Sequence, residues 1–560
     1  MAGIEYILDV AEGTGTRQPD TILVGGRISF AIDDPARRAA LAIRDGHVVA
    51  AGSDDEIRSL AGPATAIHEL RGRAVLPSFI DSHTHFHRAA LVRHLFLDFD
   101  ALAPTSVEDV LSAVETRAAT RSPGAWIEGD SLSPGRLAER RWPNRRELDR
   151  AGGGRPVLLR GIGKHVVAAS SSALAAAGID RTTADPPGGR IERDDTGEPT
   201  GILHERAKLR LDPSDVETVV PRVPAADRQA ALRGAIGDLH RVGITTIHEM
   251  IRLPDEVNDW TALHADGGRD LRVRLYYRIH ETPIHLDELV GLGVRRGLGD
   301  EWLRVLGVKI SVDGWCIFRN AAVDEPYVGE PGNRGLFRID ATELRRLVAG
   351  ANEQRLQVAL HAVGGRAVDA ALDAVAAAGR ATAGPWRLEH GQLDVGANRL
   401  ARMRDLSVTW SVQPGLLEHN LADWEASLEP DRIEAILPLR TALGLGLPMI
   451  HNSDVPSGPQ RPLRAIAAAV DRRIPSRPGR TIGADQGIPL ADAWRAWTEG
   501  PAAIAGESDT IGRLGIGRPA DLIVLDSDPR YGTIEALATA AVAGTMIGGR
   551  FVFRGDGVAS

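Results

Sequence analysis

The sequence predicts an α/β protein: a (β/α)8 TIM-like barrel with a small discontinuous β-sandwich domain formed by the N- and C-terminal segments. Three features of the 560 residues carry that expectation. From about Ala225 onward, apolar strand-like runs alternate with helix-like stretches, which reads as a parallel sheet. With the run that ends at His83 there are about eight of them, which favours a closed barrel over an open sheet. Both ends of the chain share a different, β-rich texture around that middle.

Residues 1–75 read as the N-terminal part of the sandwich. TILVGGRISF, ALAIRDGHVVAAG and AIHELRGRAVLP are rich in Val, Ile and Leu, with Asp45-Gly46 as a hairpin signal. Residues 76–505 read as the barrel. Its first strand lies in AVLPSFIDSHTHFH, an apolar run that ends in Asp81, His83 and His85. On an extended strand His83 and His85 share a face, which suits one metal ion. An insertion at about 88–222 follows, with little regular alternation, two helix-like stretches (SVEDVLSAVETRAA and SSSALAAAGI) and a Gly/Pro/Asp-rich part. It is expected to cover part of the site, as long loops on rigid scaffolds do. The strands ITTIHEM, VRLYYRIH, RVLGVKISVDG, QVALHAVGG, WRLEHGQ, SVTWSVQP and LPMIHNSDVP then alternate with helices, including one through RIEAILPLRTALG. Residues 506–560, with ADLIVLDSDP and AAVAGTMIGGRFVFRG, complete the sandwich.

Composition excludes several classes of function. Hydrophobic content is 43% and charged content 25%, as in globular proteins, and the net charge is -9. No basic run or basic helix points to nucleic acid. No apolar segment approaches the roughly 20 residues of a membrane span. The first residues lack a charged and an apolar signal region, and the single cysteine, Cys316, fits a reducing compartment, so a cytoplasmic location is expected. Lysine occurs only at Lys164, Lys208 and Lys309. The first two sit in mixed polar stretches, but Lys309 lies in an apolar β-type run, where an ammonium is costly unless paired or chemically changed.

The polar residues that end the apolar runs are His83 and His85, Lys309, His361 in VALHAVGG, His390 in RLEHGQ and Asp454 in MIHNSD. Alone, each could be a hydrogen-bonded structural residue. In a barrel all six would meet at the C-terminal face, where such folds place their chemistry. Four imidazoles, one carboxylate and one buried lysine can surround two metals.

PSFIDSHTH, GVKISVDG, LHAVGG, RLEHGQ, NSDVP and IGRLGIGRPADLIVLDSDP together resemble the metal-dependent amidohydrolase superfamily, within it the branch of N-substituted formamide deformylase and YtcJ-like proteins (amidohydrolase family 3). The resemblance runs from about residue 20 to 555. It implies a binuclear site with His83, His85 and Asp454 on one metal, His361 and His390 on the other, and a carbon-dioxide-derived carbamate on Lys309 bridging them. Zinc is the first choice, with manganese or iron as alternatives. The chain departs from the branch at Gly365, at Ser78 and at His451-Asn452, which bears on pocket shape and so on substrate.

The reaction expected from such a site is hydrolysis of a C–N bond in a small N-substituted amide or formamide. A metal-bridging hydroxide would attack, and Asp454 would take its proton and return it to the leaving nitrogen. His165, Trp315, Arg319 and Gln413 are further candidates for contact with substrate. His87 reads as a rim residue, and His248-Glu249 as a partner holding a metal-bound histidine. Deaminase, lactonase and hydratase or lyase chemistry are the alternatives on this fold, and a catalytically inactive binding scaffold is a third reading. The expected partner is a small molecule, with neither nucleic acid nor membrane; a homodimer is the working expectation.

Overall fold

The computed structural model describes the backbone of residues 5–6 and, with side chains, residues 18–35, 38–162, 166–186, 189–211 and 218–555. Eight parallel strands follow one another around the barrel in chain order. They are β1 (Phe79–Thr84), β2 (Ile244–Ile251), β3 (Arg272–Arg278), β4 (Leu303–Ser311), β5 (Gln357–Ala362), β6 (Trp386–His390), β7 (Val408–Val412) and β8 (Met449–His451). Strands covered on both faces read as continuous apolar runs, which is why these segments stood out; all eight residues of β2 are buried.

The barrel is nearly closed. Ser82 Oγ donates to the His451 carbonyl (2.9 Å), joining β1 to β8. Just beyond, Asp454 N donates to His83 O (3.0 Å) and His85 N to Val455 O (2.9 Å). The segment after β8 is thus tied to the end of β1, where the histidines lie.

Helices between the strands form where an apolar stripe and a cap coincide. Asp340 accepts from the backbone N–H groups of Thr342 and Glu343 and starts the helix Ala341–Glu353. That helix buries Leu344, Leu347, Val348 and Ala351 at the spacing of one helical face. The single helix expected through RIEAILPLRTALG is two, Pro430–Glu434 and Leu439–Gly444. Pro438 lies between them, where it cannot donate to a helical carbonyl.

The insertion holds more order than its sequence shows. Its six strands stand in the spatial order Gly189–Arg193, Pro199–Glu205, Val166–Ala169, Val157–Gly161, Ile127–Leu132 and Leu97–Asp98. The expected helices appear at Val107–Ala119 and Ser171–Ala176. Strands such as GRIER and IEGDSL carry too few apolar residues, interrupted by Gly and Asp, to announce themselves.

The terminal segments form two further sheets. One contains Thr21–Val24, Ala40–Arg44, His47–Gly52 and Ala66–Glu69. The other pairs Ala74–Pro77 with Leu522–Leu525, so the two ends of the chain share a sheet. Leu23, Leu41 and Ile43 from the first pack with Val75, Leu522 and Val524 from the second.

One buried ion pair ties this layer to the barrel. Arg272, at the start of β3, donates from Nε to Asp521 Oδ2 at 2.8 Å, and both are almost wholly buried. Removing Asp521 leaves the buried Arg272 guanidinium with only the exposed Glu301 carboxylate, at 3.2 Å, as an ion-pair partner among the described residues. Asp521→Ala is therefore expected to cost about 3–5 kcal/mol, read as a lower urea midpoint by tryptophan fluorescence; an unshifted midpoint contradicts it. Among the described residues no helix is long and apolar enough to cross a membrane.

Candidate metal centre

Strand register sets the height of the site residues. Lys309 pairs with Ala359 and Ser311 with His361, while His361 pairs with Glu389 and Ala362 with His390. By register His361 stands two residue positions beyond Lys309 toward the C-terminal ends of the strands, and His390 one position further. His83 ends up beside them through β1. His85 lies one residue past the end of β1 and starts the helix Phe86–Leu95, rather than continuing the strand alternation.

Donor atoms of His83, His85 and Asp454 all lie within 4.8 Å of one another. His83 Nε2 is 3.5 Å and His85 Nε2 3.8 Å from Asp454 Oδ1. Lys309 Nζ is 3.1 Å from His83 Nε2. The His361 and His390 ring centroids are 4.5 Å apart, and His390 is 5.4 Å from His83. The structure thus brings all six strand-end residues together. His390 and Asp454 hold positive φ, 73° and 53°; non-glycine residues keep that backbone only where their surroundings over-determine it.

Electrostatics favour ligating forms. Burial holds His83, His85 and His361 well below the ordinary imidazole range and His390 at about 3, so all four are neutral near pH 7. Burial lowers Lys309 and raises Asp454. Glu389 is different. Burial pushes it up, but the Arg387 guanidinium and Lys309 outweigh that, and the net shift is down. An ionised Glu389 accepts from His83 Nδ1 at 2.7 Å, which leaves the lone pair on Nε2 aimed at Asp454 and Lys309. His390 Nδ1 is likewise bonded to Gln413 Oε1 (3.0 Å), and Asn452 fixes that amide by accepting from its Nε2 (2.9 Å). His85 Nδ1 is buried with no hydrogen bond. These imidazole and carboxylate donors, with the His83 and His390 tautomers set by Glu389 and Gln413, fit a divalent ion.

A cavity of about 200 Å³ opens over this group. Lys309, His361, His390, Asp454 and Trp315 line its floor, and the insertion contributes Asp130, Arg160, Ile162 and Lys208 to its walls.

Residues 66–553 match the sequence model of the amidohydrolase family. The chain belongs to the amidohydrolase family. As a member it is a hydrolase. It is 29% identical to YtcJ of Bacillus subtilis, over 94% of this chain and 98% of that protein. It is 27% identical to the N-substituted formamide deformylase of Arthrobacter pascens, over 92% and 94%. Among solved structures, an uncharacterized metal-dependent hydrolase from Pyrococcus horikoshii superposes with a TM-score of 0.73 at 25% identity, covering 92% of this chain and 99% of that one.

The amidohydrolase site corrects several finer expectations. Gln413 orients His390 and is not part of the cavity wall. Arg319 faces away, donating to Glu330 and to the Ala426 carbonyl. Trp315 does line the cavity, with its ring edge-on to His390 at 5.0 Å. His165 and Lys164 lie outside the described residues. His87 is buried against Asp259 (2.8 Å) instead of on the rim. Glu249 reaches Thr84 and the backbone of Phe86 and His87, not a histidine ring. None of Ser78, Gly365, His451 and Asn452 lines the cavity, so these departures do not set its shape. Ser78 bonds Thr245 near the opposite ends of β1 and β2.

Four residues that position the site were given no role by the sequence reading. Glu389 and Arg387 form one buried chain to His83, with Arg387 Nε donating to Glu389 Oε1 at 2.8 Å. Asp81 accepts from Ser453 N (2.9 Å) and Oγ (2.6 Å), clamping the loop that carries Asp454. Asp313, in GVKISVDG, accepts from the N–H groups of Ala322, Val363 and Gly364 and so ties that motif to LHAVGG. A Cβ on Gly364 would lie 2.2 Å from the Ala322 carbonyl, which explains a glycine there. Glu389→Gln is expected to weaken metal affinity by about 10- to 100-fold, measured by competition with a chelator; unchanged affinity would remove Glu389 from the site.

Proposed function

We propose that this amidohydrolase cleaves the C–N bond of a small N-substituted amide or formamide. The observation that carries the reading is the convergence of His83, His85, Lys309, His361, His390 and Asp454 beneath one cavity. His83, His85 and Asp454 would hold one divalent ion, His361 and His390 a second, and a carbamate on Lys309 would serve both. When bound, such ions supply an acidified water and a polarised carbonyl.

The chain's own residues do the rest. Burial lowers the Lys309 amine to about 7, so that near neutral pH a large share is in the neutral form that can add carbon dioxide; the N–C bond forms, and the amine loses a proton to solvent. That converts a costly buried amine into an anionic oxygen ligand. Asp454 takes the proton of the attacking water and returns it to the leaving nitrogen. Glu389 and Gln413 hold the imidazoles of His83 and His390 in their ligating tautomers. Similarity to the formamide deformylase supports a formamide or related amide as substrate.

The test is metal analysis of the purified protein with a panel of N-substituted formamides and small amides, scored by amine release. Lactones and amino-heterocycles run alongside. Amine release from the amides is expected. Turnover confined to lactones or amino-heterocycles overturns the amide reading, and a protein with neither metal nor turnover points to a binding scaffold.

A further inference from the structure

We propose that Arg160 binds a carboxylate on the substrate, so that the compounds cleaved are N-formyl or short N-acyl derivatives of amino acids. The proposal rests on the amide-hydrolysis reading above and names its substrate class.

Arg160 lies on Val157–Gly161, an insertion strand buried along its whole length. The residue is 3% exposed, yet it lines the cavity that also exposes Lys309 and Asp454. Its Nη2 donates to Glu128 Oε2 at 2.6 Å. Its Nη1 is buried and has no hydrogen-bond partner. A charged donor left unsatisfied in the interior is expensive, and folded proteins seldom keep one without a ligand to answer it. Glu128 and the Phe96 ring, 5.9 Å from the guanidinium, fix Arg160 in place without engaging Nη1.

Of the four acids lining the cavity, Asp454 belongs to the candidate metal centre and the other three are engaged elsewhere, so none answers Arg160. Asp130 accepts from Arg88. Glu249 accepts from the Thr84 hydroxyl and from two backbone N–H groups. Glu256 accepts from the backbone N–H of Arg252. The cations that share this wall, Arg88 and Lys208 among them, raise the local positive potential further. One donor edge in a cavity of about 200 Å³ matches a single carboxylate better than a phosphate, which needs several donors. Ile162, Val167, Leu211 and Leu253 complete the wall and suit an apolar side chain.

The test compares formate release from N-formyl-leucine with release from its neutral methyl ester, in wild type, R160Q and R160K. Alongside it, calorimetry measures binding of 4-methylpentanoate and of 4-methylpentanamide to the metal-free protein, where no metal can hold the carboxylate. The acid is expected to have the lower KM by about 10- to 100-fold, the worth of one charge-assisted hydrogen bond. R160Q should erase that preference through KM, with kcat and the ester little changed, and R160K should restore part of it. Equal KM for acid and ester in wild type overturns the proposal while leaving amide hydrolysis standing, and it needs no variant to fold. An acid preference that survives in R160Q overturns it as well. If neither compound releases formate, calorimetry decides: carboxylate binding lost in R160Q upholds the anion site without the hydrolysis, and absence of carboxylate binding to wild type overturns it.

Discussion

Lys309→Ala is expected to lower turnover by about three orders of magnitude and to reduce bound metal, while the metal-free protein keeps its fold. The size follows from the several kcal/mol that metal ions contribute to a hydrolytic transition state, at about 1.4 kcal/mol per decade of rate. The fold survives because the lost group is an amine that burial already disfavours in its charged form. Lys309→Arg is the sharper variant. It places on β4 a cation that stays protonated at all working pH values and cannot add carbon dioxide. Equal loss in both variants locates the effect in the carbamate. Carbon-13 NMR of wild type incubated with labelled bicarbonate should show one protein-bound carbamate carbon that both variants lack. Near-normal metal content and rate in Lys309→Ala would sink the binuclear reading.

The barrel was legible because its strands are covered on both faces and so appear as apolar runs of strand length. The six strand-end residues were legible for a related reason: a polar group that ends such a run has few places to point except the barrel mouth. The groups that position them were not. Glu389 stands next to His390 in a recognisable motif, but its partner His83 is 306 residues away. Asp81 and Ser453 are 372 apart. Such pairs depend on strand register and on how β1 meets β8, which no local pattern encodes. Gln413 shows the same limit. Its place at the end of β7 was visible, but whether it faced substrate or a histidine depended on Asn452, just past the end of β8. The insertion was illegible for a different reason. Its sheet is built from short, polar-interrupted strands, and Arg160 acquires meaning only once that sheet is folded against the barrel mouth.

Asp454→Asn is expected to cost about 10²- to 10⁴-fold in kcat, the range for removing a positioned acid–base group, with a further loss of metal because the same side chain is a candidate ligand. The substitution is nearly isosteric. Asparagine also tolerates the left-handed backbone at this position, where φ is 53°, so the loop need not rearrange. Asp81 still holds Ser453 from below. The metal-free variant should therefore melt no lower than metal-free wild type, since burial already resists the carboxylate it removes. What it should lose is the rise in melting temperature that metal confers on wild type, because a ligand stabilises only in proportion to its affinity for the folded state. Parallel melts with and without metal read this directly. A variant that keeps the full metal-dependent rise but loses turnover would make Asp454 a proton carrier alone. One that keeps turnover would remove it from the chemistry and leave the loop held by Asp81 without a catalytic purpose.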